Sequence, residues 1–335
     1  MFKRVNFISL LDKWYQTNKR QLPWRKTTHP YNIWISEIIL QQTRVNKGID
    51  YYNNFISTFP DIESLANASE DQVLNQWKGL GYYSRAHNIH LSAKYIFKDL
   101  NNIFPSTFQE ILKLKGVGKY TAAAVASISF NEKIPAIDGN AFRVYSRIFN
   151  SDKDISKQTT FNYFFNLLKA VMPNNPGDFN QSIMDFGSLI CIPKKPNCEI
   201  CPICMECLAF KNSNQNILPI NKSVIKRTEK IINYVHITCN DQLLVIKRDN
   251  SSIWKGLYEF PIYKKSLFEN FDSDGIYSIK HQLSHIDLYI YIHILRLSEN
   301  EFFKLSKILE SKIICKNEIN SLAFPKPLEN YLFYN

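Results

Sequence analysis

The stretch LKLKGVGKYTAAAVASISF, residues 112–130, carries two glycines around one apolar residue and then a run of small side chains. Gly116 and Gly118 permit a tight hairpin, because glycine enters backbone regions that a Cβ closes to other residues. Such a hairpin points backbone N–H groups outward at the start of the next helix, and a helix N-terminus attracts an anion such as a phosphate. Ala122, Ala123, Ala124 and Ala126 then let another helix approach closely. A bare Gly-x-Gly reads most simply as a helix C-cap and turn. Helical patterning on both sides, and a basic chain, favour the phosphate seat instead.

Outward from this hairpin, residues 2–210 are patterned as helices, with apolar positions three and four apart, as in Ile35, Ile38, Ile39 or Val144, Ile148. Residues 211–228 open an Asn-rich, basic stretch with a single proline, which reads as a linker. Beyond it, residues 231–239, 242–248 and 277–297 turn β-branched and aromatic, with alternation clearest over 287–295. A chain of 335 residues organised in this way is expected to form two domains: an all-α one over 1–210 and an α+β one over 229–335. No apolar run approaches the roughly 20 residues that a membrane span needs. The opening MFKRVNFISLLDKW is interrupted by Asp12 and Lys13 and reads as an amphipathic helix, not a signal peptide. A cytoplasmic protein is expected. Its formal net charge of +11 suits a polyanionic partner, nucleic acid first.

Four cysteines, Cys191, Cys198, Cys201 and Cys207, fall within seventeen residues at spacings of six, two and five intervening residues. Four soft sulfurs so close together can wrap one compact ion or cluster, and the spacing alone leaves a structural zinc site open. Pro193, Pro196 and Pro202 stiffen the loop. Two disulfides are disfavoured, since nothing else here looks secreted. Cys204 is offset from the four and reads as a spare, and Cys239 and Cys315 as small buried hydrophobes.

Two carboxylates stand out. Glu37, in IWISEIILQQTRV, belongs to a helix with apolar surroundings, where desolvation would raise its pKa and fit it to be a general acid; taken alone, it reads as an acid favoured by a helix dipole. Asp138, in PAIDGNAFRV, reads as an N-cap, and a capping aspartate kept ionised can also face a developing cation. Trp24, Arg25, Arg44, Tyr82, Tyr83 and Arg85 supply aromatic and basic groups suited to bases and phosphates, whereas Trp14, Trp34 and Trp77 are expected in the core.

Six blocks together resemble a known family: LPWR (22–25), PYNIWISEIILQQTRV (30–45), WKGLGYYSRAHN (77–88), LKGVGKYTAAAVAS (114–127), AIDGNAFRVYSR (136–147) and the cysteine loop. They are similar in order and spacing to the adenine DNA glycosylases of the MutY family. The resemblance implies a helix-hairpin-helix glycosylase fold over 1–210. A six-helix module (about 25–135) and a cluster module (1–24 with 136–210) would enclose a DNA cleft, with a [4Fe-4S] cluster on Cys191, Cys198, Cys201 and Cys207. It implies a monomer, bound to the nucleoid through DNA, that acts on adenine opposite 8-oxoguanine or guanine in double-stranded DNA. By the same resemblance Glu37 protonates the N7 side of the flipped adenine. Asp138 stabilises the oxocarbenium ion or forms a transient adduct, and Tyr120 and Asn140 support this site. Arg25 and Leu40 line the adenine pocket. Gln42 and Tyr82 fill the gap around the opposite base, and Thr43, Leu80 and the Gly116-Val117-Gly118 turn contact DNA.

Endonuclease III-like relatives place a strand-cleaving lysine where this chain has Tyr120, so a monofunctional enzyme is expected. Residues 243–261 resemble the opening of a Nudix-type domain, and Leu283-Ser284-His285 resembles the family's Phe-Ser-His loop, with Ser284 and His285 against 8-oxoguanine. The acidic run of a pyrophosphohydrolase does not follow Pro261, so this domain is expected to recognise and not hydrolyse. The rival readings are an endonuclease III-like pyrimidine glycosylase and lyase, a non-catalytic DNA-binding iron–sulfur protein and a nucleotide hydrolase.

Overall fold

The computed structural model describes residues 6–223, 226–249 and 253–334. The first five residues of the expected N-terminal helix, 224 and 225 of the expected linker, 250–252 of the Nudix-like stretch and 335 lie outside the described residues. By their contacts the residues form two compact units, one of 1–67 with 88–223 and one of 68–87 with 224–335.

The first unit is helical. Its middle is the helix Pro30–Leu40, which starts on a proline whose missing N–H is no loss there. Every residue from Ile33 to Ile39 is buried, as is Tyr31. A helix apolar on all sides is an interior helix, and this is why a carboxylate on it must lose its water. The helix Lys119–Phe130 is buried from Thr121 to Ser127. Its small side chains admit the helix Pro176–Leu189 so closely that a Cβ added at Gly177 would lie 2.9 Å from the Ile128 Cα. A second core joins Phe7 and Leu11 to Val144, Tyr145, Phe164, Leu168 and Phe186.

The hairpin over Gly116 and Gly118 has the expected turn but an unequal pair of helices. On its N-terminal side stands a single turn, Phe108–Ile111, closed by a capping box between Thr107 and Glu110. Gly116 has φ +74°, and a Cβ there would meet the Asn88 side chain at 2.7 Å. Gly118 is the N-cap of Lys119–Phe130 and supplies no side chain to its free N–H groups. The expected linker is partly bound: Leu218 is buried, its carbonyl accepts from Arg147 Nε at 3.0 Å, and Ile155 N–H donates to Ile220 O at 2.9 Å.

The second unit is built on a mixed sheet. Its strands are β1 (Thr228–Cys239), β2 (Gln242–Lys247), β3 (Tyr258–Glu259), β4 (Gly275–Gln282), β5 (Ile286–Arg296) and β6 (Lys312–Cys315). They run in the order β3-β2-β1-β5-β4, with β6 on β2, and β1 and β5 pair in parallel. Successive strand residues face opposite sides, so two cores result. Ile232, Tyr234, Leu288 and Ile290 meet Leu328 and Tyr331 of the helix Lys326–Tyr334. Val235, Ile237 and Leu295 meet Phe302 and Leu305 of the helix Glu299–Ile308.

Residues 68–87 group with this unit, and polar contacts that the sequence gives no sign of join them to it. Lys247 Nζ bridges Glu70 at 3.1 Å and Asp71 at 2.7 Å, and Tyr258 donates to Asp71 at 3.2 Å. His87 reaches Glu70 with Nδ1 at 2.9 Å and the Lys255 carbonyl with Nε2 at 2.8 Å.

Candidate active site

Glu37 sits near the end of Pro30–Leu40 and is only 6% exposed. It lines a small pocket with Trp24, Arg25, Leu40, Tyr120, Gln181 and Met184. Burial pushes its pKa up to about 7, and the charge of Asp138 adds to this. A hydrogen bond from the Tyr120 hydroxyl and the charge of Arg25 act the other way. A carboxyl poised there holds a proton near neutral pH and releases it into a low-dielectric pocket, as general acid catalysis requires. Tyr120 is itself driven well above the ordinary phenol range, by burial and then by Glu37 and Asp138. Its hydroxyl also lies 3.4 Å from the Met184 sulfur.

Asp138 is the N-cap of Gly139–Ile148, and its Oδ1 accepts from Ala141 N–H at 2.7 Å. The other oxygen accepts from Asn140 Nδ2 at 2.9 Å. Asn140 Oδ1 accepts in turn from Arg143 at 2.8 Å, and Arg143 Nε donates to the Cys191 carbonyl at 2.7 Å. Burial raises the Asp138 pKa, while these donors and Arg143 favour the charged form. The side chain thus combines a cap with a carboxylate whose lone pairs are directed by fixed donors.

The cysteine loop follows Pro176–Leu189 and contains two short 3-10 turns, Cys198–Ile200 and Cys204–Glu206. Cys191, Cys198, Cys201 and Cys207 line one cavity, and Cys204, read as a spare, lines it too. All are free thiols. Burial raises the pKa of Cys198, Cys201 and Cys207, Cys201 to about 12, and the neighbouring cysteines add to each shift. Arg147 donates to the Cys191 sulfur at 3.3 Å and to the carbonyls of Ile192 and Pro193 at 2.7 and 2.8 Å. Among the described residues no three His, Cys, Asp or Glu are gathered to hold a single metal ion.

In the second unit Tyr82 is half exposed, in a left-handed turn with φ 48°, and its hydroxyl lies 2.5 Å from Ser284 Oγ. Ser284 and His285 are exposed in the tight turn between β4 and β5. Arg227 fixes that turn from its base, donating to the Leu283 carbonyl at 3.1 Å and pairing with Asp287 at 2.6 Å. Leu80 is buried. In the first unit, Gln42 is exposed at φ 59° just past the helix of Glu37, Thr43 is half buried, and Val117 is buried between its two exposed glycines.

Two residues read as suited to nucleic acid, Arg85 and Tyr83, are interior instead, whereas Trp24 is buried but still lines the Glu37 pocket. Arg85 is 7% exposed, with its guanidinium 5.2 Å over the Trp77 ring and a 3.0 Å bond to the Gly81 carbonyl, so it braces the 77–83 turn. Tyr83 is buried, and Trp24 packs edge-on against Tyr52 at 5.3 Å while lining the Glu37 pocket. Cys315 is half buried, not buried. The sequence did not point to Gln181 or Asp185; the signal for Asp185 is that it is the single charge in the stretch FNQSIMDFG, residues 179–187.

Residues 35–169 match the model of the HhH-GPD superfamily base excision DNA repair proteins, and residues 233–333 match that of the NUDIX domain. A thermostable thymine-DNA glycosylase superposes with a TM-score of 0.58 at 31% identity, over 63% of this chain and 97% of its own. An endonuclease III–DNA complex gives 0.54 at 19% identity, over 64% of this chain and 99% of its own, which speaks to the fold alone. Fold and site define a helix-hairpin-helix protein of base excision repair, with a Nudix-like domain attached. An adenine DNA glycosylase of Buchnera aphidicola subsp. Schizaphis graminum is 36% identical over 97% of both chains. That of Homo sapiens is 31% identical over 76% of this chain and 57% of its own. The chain belongs to the adenine DNA glycosylase family.

Proposed function

We propose that this enzyme hydrolyses the N-glycosidic bond of adenine mispaired with 8-oxoguanine or guanine in duplex DNA. The observation that carries the reading is the Glu37 carboxyl, buried in a pocket beside Tyr120, held near pKa 7 and under the influence of Asp138. A flipped adenine entering that pocket meets the acid at its N7 side, with Trp24 and Leu40 among the apolar walls. Protonation makes the base a neutral leaving group. Asp138, ionised and aimed by Ala141 N–H and Asn140, stabilises the oxocarbenium ion or adds to it transiently before water completes hydrolysis.

Tyr120 has no amine for a Schiff base, and the neighbouring Lys119 rests its ammonium 4.8 Å over the Phe161 ring, outside the lining of the Glu37 pocket. This supports a monofunctional glycosylase. Cys191, Cys198, Cys201 and Cys207 would hold a [4Fe-4S] cluster, which when bound ties the loop together through four thiolates. Ser284 and His285, on an exposed turn, are the candidates to read 8-oxoguanine, with Tyr82 beside Ser284 to enter the stack.

The test is incubation with duplexes carrying A opposite 8-oxoguanine, G or T, followed by treatment with and without alkali. Alkali-dependent scission at the mispaired adenine alone is expected. Scission without alkali overturns the monofunctional mechanism. Release of adenine opposite T at the same rate overturns the mismatch specificity.

A further inference from the structure

Asp185, in the helix Pro176–Leu189, is a fully buried carboxylate with no part in the chemistry above. Arg25 meets it with both terminal nitrogens, Nη1 on Oδ2 at 2.5 Å and Nη2 on Oδ1 at 2.9 Å. Arg20 adds its Nε to Oδ1 at 2.6 Å and its backbone N–H to Oδ2 at 3.1 Å. Arg25 is fixed elsewhere too: Nη1 donates to the Arg20 carbonyl at 3.2 Å, and the guanidinium lies 5.8 Å over the Tyr15 ring. Yet Arg25 and Arg20 both line the pocket of Glu37. A cation free in that pocket would pair with the Glu37 carboxylate and hold it deprotonated, because an ion pair favours the charged form.

We propose that Asp185 is a positioning residue for the general acid: by clamping Arg25 it keeps that cation from pairing with Glu37 and leaves Glu37 able to carry its proton. The proposal rests on the glycosylase reading for the meaning of that proton, though not for the clamp. The charged and titratable groups around Glu37 are Tyr120 and Asp138, besides Arg25 and Arg20; those around the clamp are Arg20, Tyr15 and, acting on Tyr15, Asp178. In keeping with the clamp, Arg25 acts on Glu37 more weakly than Tyr120 or Asp138 does. Asp185 is held below the ordinary carboxylate range: burial opposes this, and the bonds and charges of Arg25 and Arg20 outweigh it.

The test uses the full chain and two readouts across pH 5 to 9: single-turnover adenine release from an A:8-oxoguanine duplex, and the Glu37 carboxyl band by infrared difference against Glu37→Gln. Asp185→Asn is expected to move the alkaline limb and the infrared titration together to lower pH. Each pH unit of displacement costs about tenfold in rate above the limb and nothing well below it. Arg25→Gln/Asp185→Asn, lacking the freed cation, is expected to return both midpoints to the parent position whatever its absolute rate. A merely structural ion pair predicts a pH-independent loss that the second substitution does not reverse. An unmoved Asp185→Asn midpoint, or one equally displaced in the double variant, overturns the clamp. Should Asp185→Asn not fold by circular dichroism, Asp185→Glu is expected to shift both midpoints less and in the same direction, and unmoved midpoints there overturn it. A parent chain that releases no adenine sinks the glycosylase reading, while the infrared titration still judges Asp185.

Discussion

Glu37 is set toward neutrality by the helix that bears it: with Ile33 to Ile39 all buried, water cannot reach the charged form. Adenine release should therefore fall as pH rises through about 7, as a single-turnover pH profile checks. The same shift acts on stability. A carboxyl whose folded pKa lies above its unfolded one stabilises the fold fully below the unfolded pKa, and that contribution is lost as pH rises through the folded value. Glu37→Gln removes the loss. It should melt well above the parent at pH 8, by up to about 3 kcal/mol, and close to it at pH 4, while retaining duplex binding without releasing adenine. The burial of this acid was legible because it stood alone among the isoleucines and tryptophan of its helix. That of Arg85 and Tyr83 was not, since the side chains that grip nucleic acid are also those that brace a turn, and local spacing carries no burial.

Among the elements, Gly139–Ile148 is capped by the aspartate to which the proposed chemistry falls, and substitution separates cap from chemistry. Asn caps about as well as Asp, so Asp138→Asn should melt within a degree or two of the parent with adenine release abolished. Asp138→Ala should in addition lose about 1 kcal/mol, measurable by denaturant titration. The hairpin separates in the same way. Gly116→Ala forces a Cβ onto Asn88 at a left-handed φ and should cost about 1 to 3 kcal/mol. Gly118 has open space at its Cβ position, so Gly118→Ala should leave stability nearly untouched and weaken DNA affinity, read by fluorescence anisotropy, if the turn seats a phosphate. The hairpin and its second helix could be read from Gly116, Gly118 and the alanines. The shortness of Phe108–Ile111 could not, because Leu112 and Leu114 prolong the apolar spacing past the point where the backbone leaves the helix.

At the scale of the whole molecule, the net charge of +11 should make duplex binding fall steeply with salt. The cysteine loop should carry about four iron atoms per chain by metal analysis. That iron should be lost in Cys198→Ser and kept in Cys204→Ser, although Cys204 lines the same cavity. Both domain types were legible, the helical one from its six blocks and the sheet from alternation over 287–295. What the sequence withheld is non-local. Glu70, Asp71 and His87 read as ordinary surface residues of a helical stretch, and nothing near them names Lys247, Lys255 or Tyr258 as partners.

That grouping bears on how such a protein can change over generations. Residues 68–87 are encoded among the helices of the first unit but pack with a sheet encoded some 150 residues later. A sheet domain grafted from a relative would arrive without the segment it grew up with. Glu70, Asp71 and His87 would then face a surface shaped for other side chains, and the turn carrying Tyr82 would lose its setting. Recombination at the connecting stretch is thus penalised even though the chain there looks like a natural seam, and the heritable module is larger than the covalently continuous one.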